Sequence, residues 1–98
     1  MSMGFDGDGN LYVELNAPLS VGGNDYNMRL TRTSAGRSQE SDEITCHVDY
    51  QRISDSVSGR FEDHVFPTRS GQGSLPYLQG QFQAMLNNDT PVASPVYP

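Results

Sequence analysis

The feature that most constrains this chain is a strict alternation of apolar and polar residues between positions 44 and 51. One side of the extended chain would carry Ile44, Cys46, Val48 and Tyr50, and the other would carry Thr45, His47, Asp49 and Gln51. A period of two residues is that of a β-strand with one buried face. We therefore predict a strand here, and further strands must lie beside it.

Three other segments alternate in the same way, and each is bounded by residues typical of turns. They are residues 11–15, 26–31 and 61–66. Pro67 ends the last of them, because proline cannot donate a hydrogen bond to a neighbouring strand. The sequence thus predicts a meander of four antiparallel strands. Asp63 is the exception to the pattern, since it falls on the apolar side of the fourth strand.

The segment after the strands has helical rather than strand periodicity. Its apolar residues recur at intervals of three and four, at Leu75, Leu78, Phe82, Met85 and Leu86. Ser74 and Pro76 are suited to a helix start, and Asn87 to its end. We predict an α+β fold in which this amphipathic helix packs on one face of a four-stranded meander; a small β-barrel with a helix is the alternative. The expected sheet face comprises Leu11, Val13, Leu15, Met28, Leu30, Ile44, Cys46, Val48, Phe61 and Val65.

The length of 98 residues leaves room for one hydrophobic core. We expect residues 1–89 to form a single small domain. Residues 90–98 contain Pro91, Pro95 and Pro98 in a polar context. We expect this tail to be extended or disordered and dispensable for folding.

Charge and cysteine content exclude several classes of function. The formal net charge is −6, and a field of that sign repels phosphate backbones, so no nucleic-acid partner is expected. The single Cys46 excludes an internal disulfide framework and fits a buried apolar position. No apolar run approaches the roughly 18 residues of a membrane span, and the first residues do not resemble a signal peptide. We expect a soluble, acidic, cytoplasmic domain without a membrane partner.

One cluster of residues on the polar sheet face could carry chemistry. If the turn between the third and fourth strands is centred between Ser56 and Val57, Asp49 lies opposite His64, and His47 is close by on the same face. Such a group could orient a general base or hold a divalent metal. Exposed charge pairs are common on strand faces, so we predict no catalytic residue, no metal and no cofactor there.

A second candidate is the loop over residues 67–74, between the last strand and the helix. Gly71 and Gly73 would let backbone amides approach an anion, and Arg69 would supply a counter-charge. Together with His47, Asp49 and His64, these three residues form the predicted ligand-binding set. By contrast, the acidic segment from Asp6 to Asn10 lacks the later ligands of a calcium loop and is interpreted as a turn.

These observations favour a small, non-enzymatic protein-interaction module that binds a protein partner or itself as a homo-oligomer. The alternative is a small-ligand-binding or enzymatic domain with its site on the polar sheet face near the 67–74 loop. A virion or assembly subunit is a second alternative. No catalytic motif is present to support an enzyme.

Overall fold

The computed structural model describes residues 2–15, 17–33, 43–67 and 75–98. They form an antiparallel sheet followed by one helix. The elements are β1 (Ser2–Phe5), β2 (Leu11–Glu14), β3 (Leu19–Val21), β4 (Asn24–Arg32), β5 (Glu43–Arg52), β6 (Ser58–Pro67) and α1 (Leu75–Asn88). The α+β class and the C-terminal helix are therefore confirmed. No helix formed by the described residues is long and apolar enough to cross a membrane.

Within the described residues the sheet has six strands where four were predicted, in the order β1-β2-β4-β5-β6, with β3 also paired to β4. The strands β2 and β3 share one edge of β4, because β2 pairs with residues 29–31 and β3 with residues 24–26. The two missed strands, β1 and β3, have only four and three residues, which is too short for alternation to be recognised. The sheet is open, so the alternative of a closed barrel is wrong.

A tight hairpin explains how so short a strand as β3 is held in place. Val21 pairs with Asn24, which leaves Gly22 and Gly23 as a two-residue loop. Both glycines have positive φ, 59° and 81°. Two successive residues of this kind form the turn whose twist matches that of the flanking strands. The Gly-Gly pair thus joins β3 directly to β4.

The core lies between α1 and one face of the sheet. Its buried members are Leu19, Val21, Tyr26, Met28, Cys46, Val48, Tyr50, Phe61, Phe66, Phe82 and Met85. Phe82 is the central residue: its ring centroid lies 4.9 Å from that of Tyr26 and 5.3 Å from that of Tyr50. Of the predicted face, Met28, Cys46, Val48 and Phe61 are buried, and Leu15, Leu30 and Ile44 pack partly against the core.

An irregularity in the pairing of β6 with β5 changes which side chains in the second half of β6 face the core. Val48 pairs with Phe61 but Cys46 pairs with His64, so His47 alone lies opposite Glu62 and Asp63. This is a β-bulge, and Asp63 has the positive φ of 52° that such a bulge accommodates. Beyond it Phe66 points into the core at 8% exposure, whereas Val65 is 42% exposed. The predicted faces of Val65 and Phe66 are therefore wrong.

The turn between β5 and β6 is centred two residues earlier than expected. Gln51 pairs with Ser58, and the Arg52 amide donates to the Val57 carbonyl over 2.7 Å. The Arg52 guanidinium also binds the Asp55 carboxylate at 2.7 Å across the turn. As a result Asp49 pairs with Arg60, and the predicted pairing of Asp49 with His64 is wrong.

We expect Phe82→Ala to lower the free energy of unfolding by about 3–5 kcal/mol, because it leaves a cavity among three aromatic rings. Urea denaturation followed by circular dichroism measures the change. Leu75→Ala is the matched control in the same helix, since Leu75 is exposed, and it should change the midpoint little. Equal midpoints for the two variants would contradict the packing of α1 on the sheet.

Candidate functional site

The face of the sheet opposite α1 carries a row of alternating charges. Glu14 pairs with Arg29, Arg29 with Asp49, and Asp49 with Arg60, so the row crosses β2, β4, β5 and β6. Side chains directly opposite each other on neighbouring antiparallel strands are within interaction distance. The strand register therefore places a negative, a positive, a negative and a positive group side by side.

Both ends of this charge row form ion pairs. The Arg29 guanidinium binds the Glu14 carboxylate, with Nε 2.7 Å from Oε1. It also lies 3.9 Å above the ring of Tyr12, a cation–π contact. At the other end Arg60 Nε and Nη2 donate to the two carboxylate oxygens of Asp49 over 2.9 and 3.1 Å. Such a two-point contact fixes the geometry of both side chains.

Asp49 is fully buried, with 0% exposure, because the C-terminal segment covers it. The segment first pairs with the edge of β6: the amides of Arg60 and Val92 donate to each other's carbonyl groups. It then crosses the sheet, and the Ser94 hydroxyl donates to Asp49 Oδ1 over 2.9 Å. The same Ser94 oxygen accepts from the amides of Val96 and Tyr97.

These contacts change the expectation for residues 90–98. The segment is packed on the sheet, with Ser94 buried, and it bends at Pro95 and Val96. Burial and the nearby Glu14 carboxylate raise the pKa of Tyr97 above its usual value. The packing argues against the expectation that the tail is dispensable for folding.

The predicted grouping of His47, Asp49 and His64 does not form. His47 lies on the same face as Asp49, and its Nδ1 accepts a hydrogen bond from the Asp63 amide in the bulge. The bulge carries His64 to the opposite face, where Nε2 bonds with Gln81 Oε1 of α1 at 2.9 Å. Asp49 is already bound to Arg60 and Ser94. Within the described residues, no group of three His, Cys, Asp or Glu side chains could hold a metal.

The other predicted residues have separate outcomes. Arg69, Gly71 and Gly73 lie outside the described residues, so the anion-binding loop stays a prediction. Burial raises the pKa of the Cys46 thiol to about 11, although the Arg32 charge partly opposes this shift. The thiol is therefore protonated at neutral pH and is a poor nucleophile.

The described residues line two clefts on the surface that bear on function. The first, of about 460 Å³, lies on the charge-row face between the β1–β2 turn, the sheet and the tail. Its lining comprises Asp6, Gly7, Asp8, Asn10, Arg29, Thr31, His47, Arg60, Pro95 and Val96. Within the described part of the chain, the buried Asn10 Oδ1 has no hydrogen-bond partner. The second cleft, of about 500 Å³, runs along β6 beside Asp89, Thr90 and Val92.

The outer edge of β1, hereafter its free edge, is a further candidate site, since no other strand of the described residues pairs with it. Met3 and Phe5 are 68% and 72% exposed. They pair with Val13 and Leu11, and Val13 pairs with the partly buried Leu30. Both exposed side chains therefore extend the apolar face of the sheet beyond the part that α1 covers.

Hydrogen bonding at both ends of the hairpin shows which backbone groups of β1 point away from β2. The Asp6 amide, just after β1, donates across the hairpin to the Asn10 carbonyl and therefore points toward the β2 side. The Leu15 amide, just after β2, donates to the Met28 carbonyl of β4 and therefore points away from β1. Backbone groups alternate in direction along a strand. Those of Gly4 therefore point toward β2, and those of Met3 and Phe5 point outward from the sheet.

Comparison with protein-family models, with curated proteins and with solved structures finds no match in any of the three. Function must therefore be inferred from the contacts of the chain itself. The charge row and the β1 edge were both missed from the sequence. The signal for the row was the polar alternation around Asp49, but its partners depend on the register. The signal for the edge was Met3 and Phe5 at alternate positions.

We expect Arg60→Ala to destabilise the fold by about 3–5 kcal/mol, because it leaves the buried Asp49 carboxylate without its counter-charge. The double variant Asp49→Ala/Arg60→Ala should recover part of this loss. Arg52→Ala is the matched control, since its partner Asp55 is exposed, and it should have little effect. Urea midpoints that are equal for Arg60→Ala and Arg52→Ala would contradict the burial of Asp49.

Ser94→Ala should lower stability by about 1–3 kcal/mol, since it removes a hydrogen bond to a buried carboxylate and the acceptor for two amides. Thr90→Ala is the control in the same tail, because Thr90 is exposed. Deleting residues 90–98 should cost more than Ser94→Ala. The measurement is the thermal midpoint; a midpoint unchanged by the deletion would show that the tail contributes nothing.

Proposed function

We propose that this chain is a small protein-interaction module that binds an extended segment of polypeptide along the free edge of β1. The observation that carries the proposal is the combination of outward backbone groups at Met3 and Phe5 with exposed apolar side chains at the same residues. An added strand obtains affinity from main-chain hydrogen bonds and specificity from alternate side chains. Both requirements are met at this edge.

The opposite edge of the sheet supports the proposal by contrast. Along β6, Val92 already pairs with Arg60. Glu62 and Asp63 add charge, and the bulge at Asp63 disturbs regular pairing. Charge, bulges and covering segments are the features by which natural proteins prevent unwanted strand addition. The sequence of β1, Ser-Met-Gly-Phe, has neither charge nor proline, and its shortness is the feature of the strand itself that limits pairing.

The shape of the edge indicates which segments it would bind. A partner strand would present every second side chain to the face that carries Met3 and Phe5. Leu11 and Val13 lie behind them on β2. Apolar residues at alternate positions would therefore extend the hydrophobic surface, and four paired residues predict weak, reversible binding.

A small-ligand site in the 460 Å³ cleft is less well supported. The unpartnered Asn10 Oδ1 favours it. However, both guanidinium groups that line the cleft already bind carboxylates, Arg29 with Glu14 and Arg60 with Asp49. An enzymatic role has still less support, since His47 and His64 lie on opposite faces of the sheet.

The proposal predicts that Met3→Pro weakens peptide binding without unfolding the chain. Proline removes the outward amide of residue 3 and is tolerated on a strand edge that faces solvent. Peptides selected on the immobilised chain from a random display library should have alternating apolar residues. Their affinity for Met3→Pro should fall roughly fivefold to tenfold, as expected for one lost backbone hydrogen bond.

Two variants control this experiment. Met3→Ala keeps the amide and should reduce affinity less than Met3→Pro. Val57→Ala changes an exposed apolar residue in the β5–β6 turn and should have no effect. A selection that yields no peptide, or peptides that bind Met3→Pro as well as the original chain, would contradict the proposal.

A further inference from the structure

We infer that two copies of this chain pair through β1 in a symmetric antiparallel register in which Gly4 lies opposite Gly4 of the second copy. This inference rests on the proposed function, because it assumes that the β1 edge accepts a strand, and it names the partner. The result would be one continuous sheet across both copies, with the helices on the same side.

Symmetry and backbone direction restrict the possible registers. A two-fold axis perpendicular to the sheet keeps the two apolar faces on one side, and such an axis must pass through a pair of identical residues. With the axis at Gly4, Met3 of each copy lies opposite Phe5 of the other. The outward amides and carbonyls of both residues then face each other and form two reciprocal pairs of hydrogen bonds.

Neighbouring registers are poorer. A shift of one residue would place the apolar side of one copy beside the polar side of the other. An axis at Met3 or at Phe5 would also keep the two apolar faces on one side of the sheet. In either case, however, only one of these two residues would lie opposite a β1 residue of the second copy. The register centred on Gly4 is the one that uses all outward groups of Met3 and Phe5 in both copies.

The side chains of β1 are complementary in this register. The flexible thioether of Met3 would lie against the ring of Phe5 of the second copy, and such sulfur–aromatic contacts are favourable. The central pair consists of glycines, whose Cα atoms approach to about 4.5 Å in a pair that is not hydrogen-bonded. A Cβ at Gly4 would lie 2.5 Å from the Tyr12 hydroxyl oxygen of the same copy, so a larger residue there requires the Tyr12 ring to move.

Charge gives a second property by which self-pairing can be recognised. Each copy has a formal net charge of −6, so two copies repel each other while β1 itself is uncharged. Added salt screens this repulsion. A dimer of this chain should therefore become tighter as ionic strength rises, whereas binding of an oppositely charged partner would become weaker.

A charge-exchange experiment tests the register. Met3→Glu or Phe5→Lys alone places a charge opposite an apolar side chain of the second copy, and each should weaken dimerisation by about tenfold. In Met3→Glu/Phe5→Lys, the introduced carboxylate lies opposite the introduced ammonium of the second copy, and dimerisation should recover. Sedimentation equilibrium at several salt concentrations measures the dissociation constants. Circular dichroism verifies that each variant is folded, which is expected because both positions are exposed.

The control variant is Val57→Glu, which adds a charge at an exposed apolar residue of the β5–β6 turn and should not change dimerisation beyond a small effect of net charge. A chain that remains monomeric, a dimer insensitive to both single changes, or a double variant as weak as the singles would overturn the inference. If the chain is monomeric but selected peptides still bind in a manner that depends on the Met3 amide, the proposed function stands and only self-pairing fails. If the chain is monomeric and no peptide binds in this manner, both self-pairing and the proposed function fail.

Discussion

The carboxylate of Asp49 lies in the middle of the sheet without access to solvent, and several parts of the chain are arranged to stabilise it. An isolated buried carboxylate would cost several kcal/mol, a large fraction of the stability of a typical domain. Arg60 supplies the opposite charge from β6, and Ser94 supplies a hydroxyl from the tail. Arg60 reaches Asp49 because the two residues are paired in the observed register. The ion pair and the strand register therefore stabilise each other.

Elements whose signal is local could be predicted from the sequence. The alternation from residue 44 to residue 51 is contained in β5, and the apolar spacing around Phe82 is contained in α1, so both were found. Features that form only because of a neighbouring strand could not be predicted from their own residues. β1 becomes a strand because β2 lies beside it, and the bulge at Asp63 exists because β6 must follow β5. Asp63 on the apolar side of its strand was the one sequence sign of that bulge.

The candidate site, like the fold, could be predicted only where its signal lies in one segment of the sequence. Polar alternation correctly placed His47 and Asp49 on one face. It could not show that this face is covered, because Ser94 is 45 positions away from Asp49 in sequence. The assumed turn then gave Asp49 the wrong partner, since the turn is closed by the bond from the Arg52 amide to the Val57 carbonyl, which alternation does not reveal. The earlier turn removed His64 from its place opposite Asp49, and the bulge at Asp63 then carried it to the other face of the sheet.

Because Ser94 lies far behind Asp49 along the chain, the two partners of Asp49 reach it at different times during synthesis. Arg60 follows Asp49 by only 11 positions, so β5 and β6 can pair and form the ion pair as soon as their hairpin has left the ribosome. Ser94 lies 34 positions behind Arg60, so it leaves the ribosome after this hairpin, from a chain made at about 5–20 residues per second. For that interval the charge row faces water, and the nascent domain has a complete hairpin but an open polar face. Closing that face is therefore a late step, made when the segment carrying Val92 and Ser94 reaches β6.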